Sequence, residues 1–390
     1  MINYMLNDNM LTLFLKGRID SENALTTEKE IVGVCEANPA DNLALDMEAL
    51  EYISSAGLRV VLRLRKDHPT LMLVNVSADV YEILEMTGFT EMLPVEKAYR
   101  HLSVDGCEVI GQGANGKVYR LNPDTIIKVY YNSDSLPDIQ RERELARKAF
   151  IKGIPTAIPY DVVKVGEKYG AVYELLNASS FGKIVNKEPE RLDELVRMSV
   201  ELLKRIHGTE LQPGEMPDEK QVVLGWAEFL KDYLPADQYA KLHGLIEAVP
   251  EDHHMMHGDY HVKNVMLQNG EVLLIDMDTL CMGHPVFEFA SIFLAYVGYN
   301  ELNPNPMDEF LEIPRAVGAE FLRRTICYYY HVSDETAYNK ILDRARLIGY
   351  TRMMRRTIRR CSNTEEGQTL IAHCAAQLAK LLEQVDSLVD

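Results

Sequence analysis

One stretch limits the possible folds more than any other. It is His257-Gly258-Asp259-Tyr260-His261-Val262-Lys263-Asn264, followed by the turn Gln268-Asn269-Gly270, the apolar run Val272-Leu273-Leu274-Ile275 and then Asp276. Short apolar runs bounded by turn residues predict two buried strands joined as a hairpin. The hairpin carries Asp259 and Asn264 at one edge and Asp276 at the other. A hard cation such as Mg²⁺ takes a few protein oxygens and leaves its remaining positions to phosphate oxygens. Asn264 and Asp276 can supply the protein oxygens, which leaves Asp259 to meet an incoming hydroxyl. Histidines 253, 254, 257 and 261 raise a zinc site as a competing reading. The zincin spacing His-Glu-x-x-His is missing, however, and Gly258 and the strand that follows argue against a helix there.

A second stretch, Val109-Ile110-Gly111-Gln112-Gly113-Ala114-Asn115-Gly116-Lys117-Val118-Tyr119, fits three phosphate-binding patterns. A P-loop needs Ser or Thr where Val118 stands. A dinucleotide-binding loop must run into a helix, but here a turn, Asn122-Pro123-Asp124, leads to a second strand, Thr125 to Tyr130. A glycine flap wants this hairpin, a valine two residues past its third glycine and a lysine in the next strand. Val118 and Lys128 supply both. The charged run Pro137 to Phe150 predicts a helix with Glu142 and Glu144 as candidate partners for that lysine. Glu142 is preferred, because Leu145 and Phe150 then face inward and Gly153 closes the helix. Two strands are expected next, at about 160–165 and 169–175, then a mostly helical remainder.

In this order, the residues resemble the aminoglycoside-phosphotransferase and choline-kinase-like branch of the protein-kinase fold. The branch motif His-Gly-Asp-x-His-x-x-Asn is met by His257, Gly258, Asp259, His261 and Asn264, and the second motif by Ile275-Asp276-Met277-Asp278. Protein kinases carry His-Arg-Asp and Asp-Phe-Gly instead. The segment Gly283-His284-Pro285 to Ala290 resembles the family's Asp-Pro-x-x-Asp-Leu-Ala, with His284 and Glu288 in its acidic places. The resemblance implies a bilobal α+β domain, with an N-lobe over 104–177 and a helical C-lobe over 178–390. It implies ATP and Mg²⁺, with Gly111, Gly113, Gly116 and Val118 over the nucleotide and Lys128, held by Glu142, on its phosphates. The Glu174 carbonyl and Leu176 amide would pair with adenine. Asn264 and Asp276 would hold the metal, and Asp259 would orient and deprotonate a hydroxyl of a small molecule. Aminoglycosides in that role would need an acidic pocket. The alternatives are a nucleotide-sensing signalling protein with little catalysis, or a protein kinase.

Residues 1–103 alternate strands and helices and predict a separate α/β unit. The expected elements are a strand from Met10 to Lys16, a turn to Ser21, a helix from Ser21 to Ala37 and a short strand from Asn42 to Asp46. A helix opening at Ser54-Ser55-Ala56-Gly57-Leu58, a strand from Leu71 to Val76 and a helix from Val80 to Thr87 follow. Gly17-Arg18-Ile19-Asp20 and Ser54-Ser55-Ala56-Gly57-Leu58 resemble motifs of the STAS domain of anti-sigma-factor antagonists. That resemblance implies a protein partner and aligns Ser55 with the family's phosphoacceptor. Ala56 departs from the family's second serine and Ser54 from its aspartate, and the competing reading has Ser54 and Ser55 simply capping the helix.

A chain of 390 residues exceeds one typical core and suits two or three domains. Its formal net charge of -18 disfavours nucleic acid and anionic membranes as partners. Six cysteines without CxxC pairing fit a reducing cytoplasm. No basic-then-apolar leader opens the sequence, and the most apolar stretch, Phe287 to Tyr299, carries Glu288 and is too short to span a bilayer. Arg344, Arg346, Arg352, Arg355, Arg356, Arg359 and Arg360 crowd one helix near the end. Their spacing reads as spread around it, either as a solvated helix paired with acids or as an anion-binding face.

Overall fold

The computed structural model describes residues 2–7, 9–113, 115–302 and 310–389. They divide into two units, Met1–Ser103 with Val162–Gly166, and Val104–Asp161 with Glu167–Asp390.

The first unit is built on strands β1 (Asn3–Asn7), β2 (Met10–Ile19), β3 (Asn42–Ile53), β4 (Met72–Val76) and β5 (Val95–Lys97), side by side in that order. β1 is antiparallel to β2, and every later pair is parallel. Parallel neighbours need crossovers. Helices α1 (Ala24–Ala37), α2 (Ser55–Asp67), α3 (Ala78–Met86) and α4 (Phe89–Met92) supply them. Leu13, Leu45, Leu73, Val76, Val80 and Leu84 are fully buried at the centre of this unit's core.

Four expectations for this unit change. β2 does not end before Gly17. It passes through that residue at φ +72°, with a register shift on the β2/β3 ladder between Gly17 and Arg18, so the glycine makes a bulge rather than a turn. The Asp20 carboxylate accepts the N–H groups of Glu22 (2.9 Å) and Asn23 (3.4 Å). That local turn delays α1 from Ser21 to Ala24. β3 continues well past Asp46, because the buried Asp46 carboxylate is satisfied by Asn75 Nδ2 at 2.6 Å and costs the strand nothing unpaired. Capping of α2 falls to Ser54 alone, whose Oγ accepts from Ala56 N and Gly57 N, while Ser55 is the exposed first residue of the helix.

In the second unit, β6 (Glu108–Gln112), β7 (Gly116–Asn122), β8 (Thr125–Tyr130) and α5 (Leu136–Ile151) come first; β9 (Asp161–Val165) is counted with the first unit from Val162 on, and β10 (Lys168–Glu174) returns to the second. β6, β7 and β8 are consecutive antiparallel partners, and β10 lies antiparallel on β8. The chain then passes through β11 (Ser179–Ser180), α6 (Phe181–Lys187), α7 (Leu192–His207), α8 (Glu219–Phe229) and α9 (Ala236–Glu247). β12 (Met255–Met256), the hairpin β13 (Val265–Gln268) and β14 (Glu271–Leu274), and β15 (Cys281–Met282) follow. α10 (Pro285–Tyr296), α11 (Arg315–Tyr330), α12 (Glu335–Cys361) and α13 (Glu365–Gln384) complete the lobe. A sheet with one helix, followed by a helical lobe, is the two-lobed α+β arrangement expected. α10 is apolar nearly all round and buried along eleven of its twelve residues, as a central helix must be. Among the described residues, no helix is long and apolar enough to cross a membrane. All six cysteines are free thiols.

Candidate active site

The loop between β12 and β13 is fixed by its backbone. Gly258 sits at φ +79°, where a Cβ would collide with the carbonyl oxygen of Thr279, so no other residue fits that bend. Glu288, wholly buried in α10, accepts the N–H of His257 (2.6 Å) and of Gly258 (3.0 Å). Burial pushes its carboxyl up, but His207, His257 and those amides outweigh it and hold it below the ordinary range. From the next turn of the same helix, Ser291 Oγ donates to Gly258 O at 2.8 Å. Arg352 Nη1, from α12, donates to Ser291 Oγ at 3.1 Å and reaches Gly258 O at 3.4 Å. The loop therefore presents Asp259 from a backbone gripped by α10 and α12.

Asp259 keeps 41% of its side-chain surface open, with Oδ2 3.5 Å from His261 Nε2. Burial in the recess pushes its carboxyl up, but the hydrogen bond and charge of His261, with Arg352 and His257, outweigh this and hold it at about 2. It is thereby held ionised, a ready acceptor of a hydrogen bond. Asn264 donates through Nδ2 to the Asp259 carbonyl at 3.0 Å, which leaves its amide oxygen for a ligand. His257 accepts the Asp259 N–H at Nδ1 (3.3 Å) and lies 3.3 Å from Ile275 O through Nε2. These histidines therefore brace the loop.

β13 and β14 carry the chain to Asp276, held at φ +63° beyond the hairpin. Its Oδ1 lies 3.1 Å from Lys128 Nζ, and the same ammonium lies 3.2 Å from Glu142 Oε2. Burial alone would lower Lys128, but Glu142 and Asp276 reverse that and hold it firmly protonated. Glu142 also accepts from Tyr130 Oη (2.5 Å) and Tyr173 Oη (3.0 Å). Burial, then Glu142, pushes both phenols up. Glu144, the alternative partner, pairs with Arg147 at the surface. Asp278 sits beside Asp276. Burial, then the neighbouring Asp276 and Glu142, raises its carboxyl, with Lys128 opposing and Asp259 adding to the rise. Asp276 and Asp278 are neighbouring carboxylates of the kind a hard divalent cation takes, with the Lys128 ammonium resting on Asp276 Oδ1 in this structure.

Gly116 brings β7 so close to β8 that a Cβ would strike Val129 O. Gly113 N–H closes the flap on Gly116 O at 3.0 Å, and Asn115 Nδ2 reaches Asp278 Oδ2 at 3.4 Å. Gly111 pairs with Val118, and Val118 with Lys128, which sets the flap over the lysine strand. At the end of β10, Leu175 N–H donates to Asp124 O at 2.8 Å. In an antiparallel ladder, adjacent residues direct their polar groups to opposite sides. Glu174 C=O and Leu176 N–H are therefore turned away from β8.

The structure thus brings Lys128, Glu142 and Asp276 into one ion-pair chain, with Asp259 and Asn264 on the adjoining loop. His284 does not act as an acid substitute. Its Nδ1 accepts the Val286 N–H and caps α10. Sequence reasoning missed Tyr130 and Tyr173. Tyr130 could have been found two residues beyond Lys128, on the same strand face. Arg352 was noticed only as one of a crowd. α12 is not a solvated helix, since Tyr350, Met353 and Met354 are buried in the main core. Arg344 instead donates to Ser387 O and Val389 O.

Residues 106–323 match the model of the phosphotransferase enzyme family, and residues 2–102 the model of the STAS domain. Over 92 residues, the chain is 38% identical to the candidate anti-sigma factor antagonist BtrV of Bordetella bronchiseptica, covering 23% of this chain and 78% of that protein. A crystal structure of a thermostable mutant of aminoglycoside phosphotransferase APH(4)-Ia, in ternary complex with AMP-PNP and hygromycin B, superposes with a TM-score of 0.50 at 13% identity. It covers 71% of this chain and 93% of its own. A choline/ethanolamine kinase family protein from Mesorhizobium loti gives 0.46 at 14% identity, over 71% and 88%.

Proposed function

We propose, from the premise that this chain belongs to the phosphotransferase enzyme family through residues 106–323 and carries a STAS domain at residues 2–102, that it transfers the γ-phosphoryl group of ATP to a hydroxyl of a small molecule. The observation that carries this reading is the chain Glu142–Lys128–Asp276, which puts a fixed cation beside a carboxylate at the mouth of the Asp259 loop. The flap Gly111, Gly113, Gly116 and Val118 covers the nucleotide, and the Glu174 carbonyl and Leu176 amide meet its base. Lys128 binds its α- and β-phosphates. Asn264 and Asp276, with Asp278 next to them, would hold Mg²⁺, which when bound neutralises phosphate charge. Asp259 accepts a hydrogen bond from the acceptor hydroxyl and takes its proton as the oxygen bonds to the γ-phosphorus. The bond from phosphorus to the β,γ-bridging oxygen breaks, and ADP leaves. The residues position groups and balance charge rather than form covalent intermediates.

The STAS half serves to dock a protein partner, with Ser55 exposed at the start of α2 as the candidate phosphoacceptor. The test of the main reading is ADP release with a panel of hydroxyl compounds, alongside calorimetric titration with Mg-ATP. Neither release nor nucleotide binding would overturn it.

A further inference from the structure

Four of the arginines on α12 fall at positions i, i+3, i+4 and i+7: Arg352, Arg355, Arg356 and Arg359. At 100° per residue they occupy an arc of about 100°, one stripe of the helix rather than a scatter. This corrects the expectation drawn from all seven. Arg352 begins the stripe at the active site, within hydrogen-bond reach of the carbonyl oxygen of Gly258, the residue before Asp259. Each of the first three lies over an aromatic ring: Arg352 over Trp226 (5.5 Å), Arg355 over Phe229 (5.7 Å) and Arg356 over Tyr299 (5.6 Å). Trp226 and Phe229 belong to α8, so α8 and α12 together form a wall leading away from the catalytic loop.

What the stripe lacks is acid. Elsewhere in the same lobe, Arg191, Arg197, Arg323, Arg324 and Arg346 are each in ion pairs with carboxylates. Among the described residues, no carboxylate forms an ion pair with Arg352, Arg355, Arg356 or Arg359. Arg356 donates only to Tyr299 Oη. The Nε of Arg355 is buried with no hydrogen-bond partner. Burial, then the neighbouring Arg359, pushes the Arg355 guanidinium below its ordinary range. Asp259 and Glu219 act on Arg352 without an ion pair, and burial pushes the Glu219 carboxyl up to about 7. Like charges at i, i+4 work against a helix, and 352/356 and 355/359 are two such pairs. In a chain with 59 acidic residues against 41 basic ones, Arg355, Arg356 and Arg359, left together beyond the Arg352 that acts on Asp259, call for an anion from outside. Guanidinium forks suit the planar oxygens of a carboxylate or the tetrahedral oxygens of a phosphate.

We infer that the acceptor carries an anionic group, a carboxylate or a phosphate ester, in addition to the hydroxyl that Asp259 meets, and that Arg355, Arg356 and Arg359 bind it. The inference rests on the phosphotransferase reading above. The rise per residue places Arg355 and Arg356 about 5 Å along the helix from Arg352, the reach of a two- or three-carbon link between hydroxyl and anion. Helical side chains lean toward the N-terminus, so Arg359 leans back toward the same place. A cationic acceptor would meet the like charges of Arg355, Arg356 and Arg359 on this wall.

The test is calorimetric titration of the full chain, in the presence of Mg²⁺ and AMP-PNP, with four probes of similar size: glycerol, glycerate, glycerol 3-phosphate and choline. The expected result is that glycerate or glycerol 3-phosphate binds at least ten-fold tighter than glycerol and choline. Whichever of the two is favoured identifies carboxylate or phosphate as the anion. Arg355→Gln/Arg359→Gln should remove that preference without changing AMP-PNP affinity, and Arg355→Lys/Arg359→Lys should restore part of it. Equal binding of all four probes, including none measurable, would overturn the inference. So would a preference for choline, or an anion preference that survives the glutamine variant. Failure of the phosphotransferase reading would show differently, as wild-type protein that does not bind Mg-AMP-PNP.

Discussion

Asp259 is the residue whose loss should separate chemistry from binding. In the proposed mechanism it meets the acceptor, and it forms none of the ion pairs around Lys128. Asp259→Asn is therefore expected to lower transfer by at least a hundred-fold while Mg-ATP affinity stays within about two-fold. Single-turnover kinetics beside a nucleotide titration checks this, and near-normal transfer would remove Asp259 from the mechanism. Asp276→Ala should do the opposite. It takes away a carboxylate partner of Lys128 and the proposed metal oxygen together, so Mg-dependent nucleotide affinity should fall ten-fold or more. Equal affinity with and without the substitution would show that the metal lies elsewhere. Glu219 offers a pH test. Its carboxyl is raised to about 7 by burial, with Arg352 pulling the other way. Between the ordinary carboxylate value and 7, the native chain holds a proton that the unfolded chain has lost. Stability therefore falls as pH rises through that window, and the full penalty is present above it. Glu219→Gln should stabilise the chain by about 1–3 kcal/mol at pH 8 and leave it unchanged near pH 4. Denaturant melts at the two pH values decide, and an equal effect at both would place Glu219 outside this account.

At the scale of elements, the β7–β8 hairpin links the flap to the lysine. Gly116→Ala would drive a methyl group into the Val129 carbonyl, one residue from Lys128. A loss of about 1–3 kcal/mol in stability is expected, with weaker nucleotide binding. A urea melt and a nucleotide titration both unchanged would show that the strands have room to part. This hairpin was legible because turn residues and strand residues alternate over a short span, where local rules govern. The catalytic hairpin was legible for the same reason, and the choice of Glu142 over Glu144 was legible through Leu145, although Phe150, expected to face inward with it, is exposed and Ala149 is buried instead. The hydroxyls of Tyr130 and Tyr173 on Glu142 were not legible, because they depend on which strand lies next to which. Arg352 was hidden more deeply. It meets Gly258 across 94 positions of sequence, a distance over which no periodicity carries information. Within the first unit, the length of β3 was underestimated because Asp46 reads as a breaker until its partner Asn75 is known.

At the scale of the molecule, the two units have separate hydrophobic cores, one centred on Leu13, Leu45 and Leu73 and the other running from Leu145 to Leu388. A fragment of residues 1–103 is therefore expected to unfold cooperatively by itself. Leu45→Ala should destabilise it by about 2–5 kcal/mol. Thermal melts followed by circular dichroism would check both, and a fragment without a cooperative transition would show that its core is insufficient alone. The family match ends at 323, yet α12 and α13 beyond it place Tyr350, Met353, Cys374 and Leu378 in the centre of the larger core. The link His331–Asp334 is thus a point of vulnerability to proteolysis. Lys128, Glu142, Asn264 and Asp276 all precede it, but the arginine that braces the Asp259 loop follows it. A single cut there would leave every proposed nucleotide ligand on one fragment and the brace of the Asp259 loop on the other, held to it by packing alone. Damage of that kind should first be felt as turnover lost by an enzyme that can still hold its nucleotide.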